Sequence, residues 1–219
     1  ETGLTFNSWF GKFHLEMDWW HGVHYALWNR IDILEKRLGW YQSVYNKAAE
    51  KAKRQGYEGV RWAKMTSPSG ADSPSSIGEF LVWQQPHIIY FAELCYRHHN
   101  DSITLKKYAD LVFATADFMA SYAHWDEPTK RYVLGPAIIP AQECFDPETT
   151  LNPPFELAYW RWGLQTALDW KKRMGLPVVP QWEKVLNGLA PMATDGQRYL
   201  VAENAPDTYT NPKWQIDHP

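Results

Sequence analysis

The sequence has few cysteines, no excess of positive charge and no long apolar run. Its two cysteines, Cys95 and Cys144, allow at most one disulfide and do not have the spacing of a metal site. The 22 Lys and Arg residues are outnumbered by 25 Asp and Glu, without a basic cluster, so nucleic acid is not an expected partner. No segment approaches the roughly 20 apolar residues that cross a bilayer, so membrane insertion is not expected either. Strand signals are also scarce.

Aromatic residues are abundant, with 13 Trp, 12 Tyr and 9 Phe in 219 residues. Many of them lie beside charged or amide residues, as in the segment WFGKFHLEMDWWHGVH that runs from Trp9 to His24. Aromatic rings with polar neighbours match the flat C–H faces and polar edges of sugars. The alternative is that tryptophan fills wide gaps between helices, and we expect this of most of the thirteen.

The pattern predicts an all-α chain of helical hairpins. Good helix formers and flanking Gly or Pro residues indicate helices over 41–55, 105–123 and 155–174 and a helix that begins at Pro180. Ser76 and Glu79 have the spacing of a capping box, which predicts a further helix to about Arg97 that either kinks at Pro86 or begins late. Residues 65–78 and 131–154 are rich in turn formers and are expected to be long loops.

Ionisable residues near the start of the chain form a candidate binding surface. On a helix, His14, Asp18 and His21 would share one stripe, and Glu16 and Trp20 would lie on the neighbouring one. A sugar-binding wall, a metal site and a buried hydrogen-bonded network are all compatible with this pattern. We favour recognition of hydroxyl groups by His14, Glu16 and Asp18, with Trp19 or Trp20 as a stacking platform, and we expect neither a metal nor a cofactor.

Two further segments supply candidate ligand contacts. In GVRWAKMT, Arg61 beside Trp62 is suited to bind a carboxylate or a pair of hydroxyls while the ring stacks, and the alternative is a surface arginine. In WQQPH, the amides of Gln84 and Gln85 are suited to sugar hydroxyls. His87 in the same segment is either a ligand contact or a buried, hydrogen-bonded core histidine.

Seven segments in order, FHLEMDWWH, WQQPH, TLKKYADLVFATADFM, RYVLGPAIIPAQE, NPPFELAYW, DGQRYLVAEN and DHP, resemble successive parts of six-hairpin (α/α) glycoside hydrolases. They are most similar to the inverting α-L-fucosidase group and more distantly similar to glycoside phosphorylases. The resemblance implies that residues 1–219 form part of a single (α/α) toroid catalytic domain. A complete toroid has twelve helices and this chain supplies seven or eight, so we expect a piece of a longer enzyme or a homo-oligomer.

The resemblance also implies the catalytic residues. The family's Ser-Pro-Glu-Asn loop, which carries the general acid, is similar to PAQE and assigns that role to Glu143. The segment EMDWW is similar to the family's Gln-Met-Asn-Tyr-Trp, with Glu16 and Asp18 in place of amides. Inverting hydrolysis needs a second carboxylate that activates water. Glu156 and Glu203 are the candidates for that base.

The expected function is therefore hydrolysis of a glycosidic bond with inversion. One alternative applies if the second carboxylate is missing from the site. In that case the chain is a noncatalytic carbohydrate-binding module. A polysaccharide lyase on a similar toroid is the other alternative, and Arg61 close to His87 would favour it. An oligosaccharide or polysaccharide is the expected partner, and a periplasmic or secreted location is expected from this role, with the export signal outside the chain.

Overall fold

The computed structural model describes residues 11–212 and shows an all-α fold with two small β-hairpin-like pairings. In chain order the helices of this part are α1 (Asp18–Leu27), α2 (Ile31–Ser43), α3 (Tyr45–Arg54), α4 (His87–His99), α5 (Ser102–Tyr122), α6 (Pro154–Arg173) and α7 (Pro180–Gly188). The strands are β1 (Phe13–His14), β2 (Met65–Thr66), β3 (His124–Asp126) and β4 (Arg131–Val133). The all-α prediction is confirmed.

Helices α4, α5 and α6 form the centre, with α1 and α2 packed against α4 and with α7 packed against α5 and α6. The core between them is built from large side chains, and four tryptophans are fully buried in it: Trp62, Trp160, Trp170 and Trp182. Their indole nitrogens donate hydrogen bonds within the protein, for example from Trp160 to the Met119 carbonyl at 2.9 Å. These four of the thirteen tryptophans fill gaps in the core, as expected.

Three helices begin and end close to where the sequence predicted. Asp101 caps α5, because its carboxylate accepts a hydrogen bond from the Thr104 N–H at 2.7 Å. Gly175, with φ of 66°, follows the end of α6 as predicted. Pro180 is the first residue of α7. A backbone N–H at this position would have no hydrogen-bond acceptor within the helix, so the proline costs no helical hydrogen bond.

Two helix predictions were wrong in their boundaries. The segment 41–55 is divided between α2 and α3, which meet at Val44. The predicted capping box is absent: residues 78–80 form a short 3-10 helix, and the Glu79 carboxylate binds the Lys51 ammonium at 2.6 Å. Of the two expectations at Pro86, the late start is the one observed, because Pro86 immediately precedes α4.

The start of the described chain is not helical, because β1 pairs with β2 there. Phe13 faces Thr66 and His14 faces Met65 in this antiparallel pair, and α1 begins only at Asp18. The predicted helical stripe of His14, Asp18 and His21 is therefore wrong, because His14 lies on a strand. In the second pair, β4 occupies the first three residues of the predicted loop 131–154, and its partner β3 precedes that loop.

Cys95 lies in the core and Cys144 is partly buried, and the single disulfide that the sequence allowed between them is not formed. None of the helices between residues 11 and 212 is both long and apolar enough to span a bilayer.

Candidate functional site

A buried lysine links the predicted acid to the start of α1. The ammonium of Lys64, just before β2, lies 2.6 Å from Glu143 Oε1 and 3.9 Å from Glu16 Oε1. His14 Nδ1 lies 3.2 Å from the same oxygen of Glu16. His14, Glu16 and Lys64 are buried, whereas the Glu143 side chain is 31% exposed. We call these four residues the Lys64 cluster, and Glu143 is its opening to solvent.

The shared lysine limits the distance between the two carboxylates. Distances of 3.9 and 2.6 Å to one nitrogen put Glu16 Oε1 and Glu143 Oε1 at most about 6.5 Å apart. Carboxyl pairs of inverting glycosidases are roughly 6.5 to 9.5 Å apart, and those of retaining enzymes about 5 to 5.5 Å. Two carboxylates at this separation are thus close enough to act on one glycosidic bond.

Burial affects the histidine of the cluster. It lowers the pKa of His14, and the nearby Lys64 ammonium lowers it further. His14 is therefore neutral near pH 7, and the cation that faces Glu16 and Glu143 is Lys64.

The backbone at Glu143 has an unusual conformation. Its φ is 57°, in the left-handed region that residues other than Gly, Asn and Asp rarely adopt. In the described part of the chain, three of the five such non-glycine residues are asparagines, and Lys130 lies in the turn between β3 and β4. The Glu143 N–H donates to the Pro140 carbonyl at 2.9 Å and closes a tight turn. Such an outlier at a predicted catalytic residue is a reason to test it functionally.

Apolar contacts fix the loop on both sides of Glu143. Before it, Ile139 and Ala141 pack with Leu81 and Trp83, and the Ile139 N–H donates to the Phe80 carbonyl at 2.9 Å. After it, Cys144 and Phe145 pack in a second small apolar cluster with the segment 201–205. These contacts hold the loop on both sides of Glu143, whose own side chain is 31% exposed.

Glu156 lies behind this loop. It is in the first turn of α6, fully buried, and its Oε1 accepts a hydrogen bond from the Ala141 N–H at 2.8 Å. Burial raises the pKa of Glu156 to about 8, so the carboxyl is protonated at neutral pH. A water-activating base has to be ionised and reachable by water. In this structure Glu156 instead holds the loop that carries Glu143.

Glu203, the other predicted base, is used as a bridge between loops. Its carboxylate binds the Arg131 guanidinium and accepts a hydrogen bond from the Asn152 amide at 2.8 Å. Its N–H donates to the Leu151 carbonyl at 2.9 Å. Both carboxylate oxygens thus have protein partners, and the residue fastens the segment before α6 to the segment around 203.

His87 connects α4 to the Lys64 cluster. Its Nε2 donates to the Glu16 carbonyl at 3.1 Å, and its Nδ1 accepts from the Tyr159 hydroxyl at 2.9 Å. This assignment follows because a carbonyl only accepts, and because burial lowers the pKa of His87 to about 4 and leaves it neutral. His87 is thus a buried, hydrogen-bonded histidine, one of the two alternatives predicted for it.

Aromatic side chains from α1, α4 and α6 surround a pocket beside this histidine. The cavity has a volume of about 390 Å³ and a lining that is almost wholly carbon. We call it the ring pocket, and its aromatic lining, besides His87, consists of Trp19, Trp20, Trp83, Tyr90, Phe155, Tyr159 and Trp162. The predicted platforms Trp19 and Trp20 are both part of it, with their rings 4.5 Å apart in an edge-to-face contact.

A second cavity, of about 520 Å³, shares Phe155 and Ala158 with the ring pocket. Gln142, the neighbour of Glu143, lines it together with Tyr199 and Tyr209. We call the two neighbouring cavities at the start of α6 the cleft. Gln142 of the predicted acid's loop lines the cleft, and Glu143 itself does not.

Asp18 is directed away from the cleft. Its carboxylate accepts a hydrogen bond from the Tyr41 hydroxyl at 2.8 Å and pairs with Arg37 of α2. These contacts join α1 to α2. The carboxylate of Asp18, which we expected to bind substrate hydroxyls, thus has protein partners. Asp18 lines a separate cavity of about 240 Å³ with His14 and Arg37.

Arg61 and Trp62 are buried and have structural contacts. The Arg61 guanidinium donates to Gln55 Oε1 at 2.6 Å and binds the Glu79 carbonyl, so Arg61 is not the surface arginine of the alternative and is held by protein partners. Trp62 lies in the core and donates to Thr115 Oγ1 at 3.0 Å.

The amides of Gln84 and Gln85 bind protein backbone rather than the cleft. Gln84 Nε2 donates to the Trp62 carbonyl at 3.1 Å, and Gln85 Oε1 accepts from the Trp62 N–H at the same distance. Both glutamines are buried. They hold the segment before α4 against the segment before β2.

No group of three or more His, Cys, Asp or Glu side chains in residues 11–212 is arranged to bind a metal ion. The metal-site interpretation of the N-terminal segment therefore receives no support from its described part.

Sequence reasoning missed most of the ring pocket and the role of Lys64. On α6, Phe155, Tyr159 and Trp162 recur at spacings of four and three residues, the pattern of one helix face. This pattern was readable, but it is equally typical of a core face. The Lys64 contact joins segments far apart in the chain and leaves no local signal.

Comparison with known proteins supports the fold. The chain matches a solved structure described as "Putative kojibiose phosphorylase from human microbiome" with a TM-score of 0.79 and 9% sequence identity. The match covers 94% of this chain and 29% of that one, so the chain spans less than a third of its structural neighbour. No protein-family model and no curated protein sequence matches the chain. At this identity the likeness establishes the toroid-like helical fold and not the activity.

Proposed function

We propose that the chain carries the active-site cleft of a carbohydrate-active enzyme that cleaves a glycosidic bond, with Glu143 as the general acid. The observation that carries the proposal is the pairing of Glu143 and Glu16 on Lys64, with Gln142, the residue before Glu143, lining the neighbouring cavity. The fold shared with a protein described as a kojibiose phosphorylase supports it. The substrate is an oligosaccharide or another glycoside.

In this mechanism Glu143 protonates the oxygen of the leaving group as the glycosidic bond breaks. To act as the acid it has to carry a proton, so its ion pair with Lys64 has to be given up when the substrate binds. Glu16, which forms a longer ion pair with Lys64, is our candidate for the base, the role that the sequence offered to Glu156 or Glu203. Glu16 is buried, so water has to enter the Lys64 cluster before Glu16 can accept its proton. The water attacks the sugar carbon from the opposite side, its oxygen ends on the sugar with inversion at that carbon, and the leaving group departs as an alcohol.

Phosphorolysis is the second candidate reaction, because the structural neighbour is described as a putative kojibiose phosphorylase. In that case inorganic phosphate replaces water and the product is a sugar phosphate. From the sequence resemblance alone, we also propose that the sugar site is related to that of the inverting α-L-fucosidase group.

The test is turnover of aryl glycosides and disaccharides by the 219-residue chain, with and without inorganic phosphate, and with the first-formed anomer identified by NMR. Glu143→Gln is compared with Glu148→Gln, an exposed glutamate of the same loop. Loss of turnover only in Glu143→Gln supports the proposal. Binding of glycans without turnover by either the wild type or Glu148→Gln would favour a noncatalytic binding module.

A further inference from the structure

We propose that the second cavity, the one that Gln142 lines, binds a neutral sugar ring, with the Gln142 amide bonded to a hydroxyl group and the Tyr199 ring stacked on a C–H face. This inference rests on the proposed function, because it names residues that select the substrate of that enzyme. It concerns binding alone and assigns the cavity to neither side of the broken bond.

The side-chain amide of Gln142 is not used by the protein. In residues 11–212 its Oε1 is buried without a hydrogen-bond partner, whereas Gln85 Oε1 accepts from the Trp62 N–H. Because no protein group fixes this amide, rotation can bring either its NH₂ group or its oxygen to the cavity that the residue lines. A sugar hydroxyl both donates and accepts, so it can supply the missing hydrogen bond.

The backbone that carries Gln142 is held on both sides. The Glu143 N–H donates to the Pro140 carbonyl at 2.9 Å. The Ala141 N–H donates to the Glu156 carboxyl at 2.8 Å. Gln142 thus lies within a closed turn, directly before the proposed acid. A contact residue on a fixed segment loses little freedom when a ligand binds, so more of its bonding appears as affinity.

Exposed aromatic rings form the wall of the same cavity. Tyr199, Tyr209 and Phe155 are 61%, 46% and 45% exposed, and all three line it. The Tyr209 hydroxyl donates to the Tyr199 carbonyl, and the Arg198 guanidinium lies 3.8 Å from the centre of the Tyr209 ring. Tyr199 is therefore the ring most open to a ligand. Open rings beside a polar amide match the flat C–H faces and polar edges of a sugar.

The charge of the cavity wall limits the class of sugar. No Asp, Glu, Lys or Arg side chain of the described chain lines it. A uronate would lose the hydration of its carboxylate there and find no cation in exchange, which is costly. A neutral sugar loses only the hydration of hydroxyl groups, and the amide replaces part of it. The volume of about 520 Å³ lies within the roughly 300 to 1,000 Å³ range of small-molecule pockets.

Binding is measured without turnover, by titration followed with saturation-transfer NMR. The probes are the methyl glycosides of glucose, galactose, mannose and fucose, with glucuronate as the charged probe. Gln142→Met keeps the length of the side chain and removes the amide. Tyr199→Ala removes the ring and keeps the carbonyl that accepts from Tyr209. Gln197→Met is the matched control, because Gln197 is exposed, lies two residues before Tyr199 and does not line the cavity.

We expect at least one neutral glycoside to bind the wild type and Gln197→Met equally. Gln142→Met should bind it about fivefold more weakly, as for one lost hydrogen bond between neutral groups. Tyr199→Ala should weaken binding at least as much, because the stacking surface is gone. The melting temperature of Gln142→Met should not fall, because the amide oxygen that it removes has no partner in the described protein. A purely structural role of Gln142 would give the opposite pattern.

Three results would overturn the inference: no neutral glycoside binds, glucuronate binds more tightly than all of them, or Gln142→Met binds them as the wild type does. If Gln142→Met weakens binding and no glycoside is cleaved, the cavity assignment is supported and the proposed reaction fails. If turnover depends on Glu143 and binding is unchanged in Gln142→Met, the proposed reaction is supported and this inference fails.

Discussion

The ammonium of Lys64 lies between the carboxylates of Glu143 and Glu16, 2.6 Å from one and 3.9 Å from the other. The lysine and Glu16 are buried, and the Glu143 side chain is 31% exposed. Removing the cation leaves two like charges facing each other in a poorly hydrated place, and this arrangement is costly.

The first prediction therefore concerns Lys64→Met, which keeps the length of the side chain and removes its charge. We expect the free energy of unfolding at pH 7 to fall by about 3 kcal/mol, since breaking a buried ion pair leaves an uncompensated charge. Urea denaturation measures it. Lys106→Met, an exposed lysine on α5, is the control and should change stability by less than about 0.5 kcal/mol.

The double variant Lys64→Met with Glu16→Gln separates charge from packing. Because Glu16→Gln removes the buried carboxylate, we expect it to restore part of the stability that Lys64→Met loses. If the double variant loses as much stability as the two single variants together, Lys64 and Glu16 do not interact, and the described cluster is contradicted.

The second prediction concerns Glu156, whose pKa burial raises from 4.5 to about 8. Between these values the folded protein holds a proton that the unfolded chain has lost, so stability falls as pH rises, by at most about 1.4 kcal/mol per pH unit. Glu156→Gln has no such titration and keeps an acceptor for the Ala141 N–H. Its stability relative to the wild type should therefore rise from pH 5 to pH 8 and level off above pH 8.

Urea denaturation at several pH values tests this prediction, with Glu148→Gln as a solvent-exposed control that should follow the wild type. Parallel pH dependence of the wild type and Glu156→Gln would mean that Glu156 is ionised in the folded protein.

The third prediction concerns the junction of α4 and α6. Burial raises the pKa of Glu93, but hydrogen bonds from Arg173 and Trp170 outweigh burial and lower it overall. Arg173 Nη1 and Trp170 Nε1 donate to Glu93 Oε2 at 2.6 and 2.8 Å. The stabilising contribution of the Glu93 carboxylate is therefore complete above its pKa in the unfolded chain. It is lost as pH falls through the lower pKa of Glu93 in the folded protein.

Glu93→Gln should lower the free energy of unfolding by about 3 kcal/mol at pH 7 and by less at low pH. Thermal or urea unfolding at pH 7 and pH 3 measures the difference, and Glu50→Gln, an exposed glutamate of α3, should have little effect. A loss of the same size at both pH values would contradict a charge-based contribution of Glu93.

The parts of the fold that depend on local sequence were predictable. Helices α5, α6 and α7 carry their own caps and breakers, Asp101, Gly175 and Pro180, and were located to within a few residues. The division between α2 and α3 at Val44 was missed, because the segment contains good helix formers throughout. The β1 strand was missed because its partner, β2, lies some fifty residues later.

The candidate site was less predictable for the same reason. Trp19 and Trp20 were expected to form a platform and do line the ring pocket. Arg61 and Gln84 are residue types that are typical of ligand contacts. In the structure they donate hydrogen bonds to a side-chain oxygen and a backbone carbonyl of the protein. Sequence shows which side chains can donate or accept, while only the tertiary contacts show which of them are already occupied.

The role of Glu143 is tested most directly by varying the leaving group. Aryl glycosides of one sugar are compared, one with phenol and one with 2,4-dinitrophenol as the leaving group, on the wild type, Glu143→Gln and Glu148→Gln, each shown to be folded by circular dichroism. A general acid contributes roughly 10²- to 10⁴-fold where the leaving group needs a proton. We predict that Glu143→Gln loses at least about 100-fold in kcat/KM on the phenyl glycoside and far less on the dinitrophenyl glycoside. Equal losses on both substrates, or full activity of Glu143→Gln, would contradict the assignment.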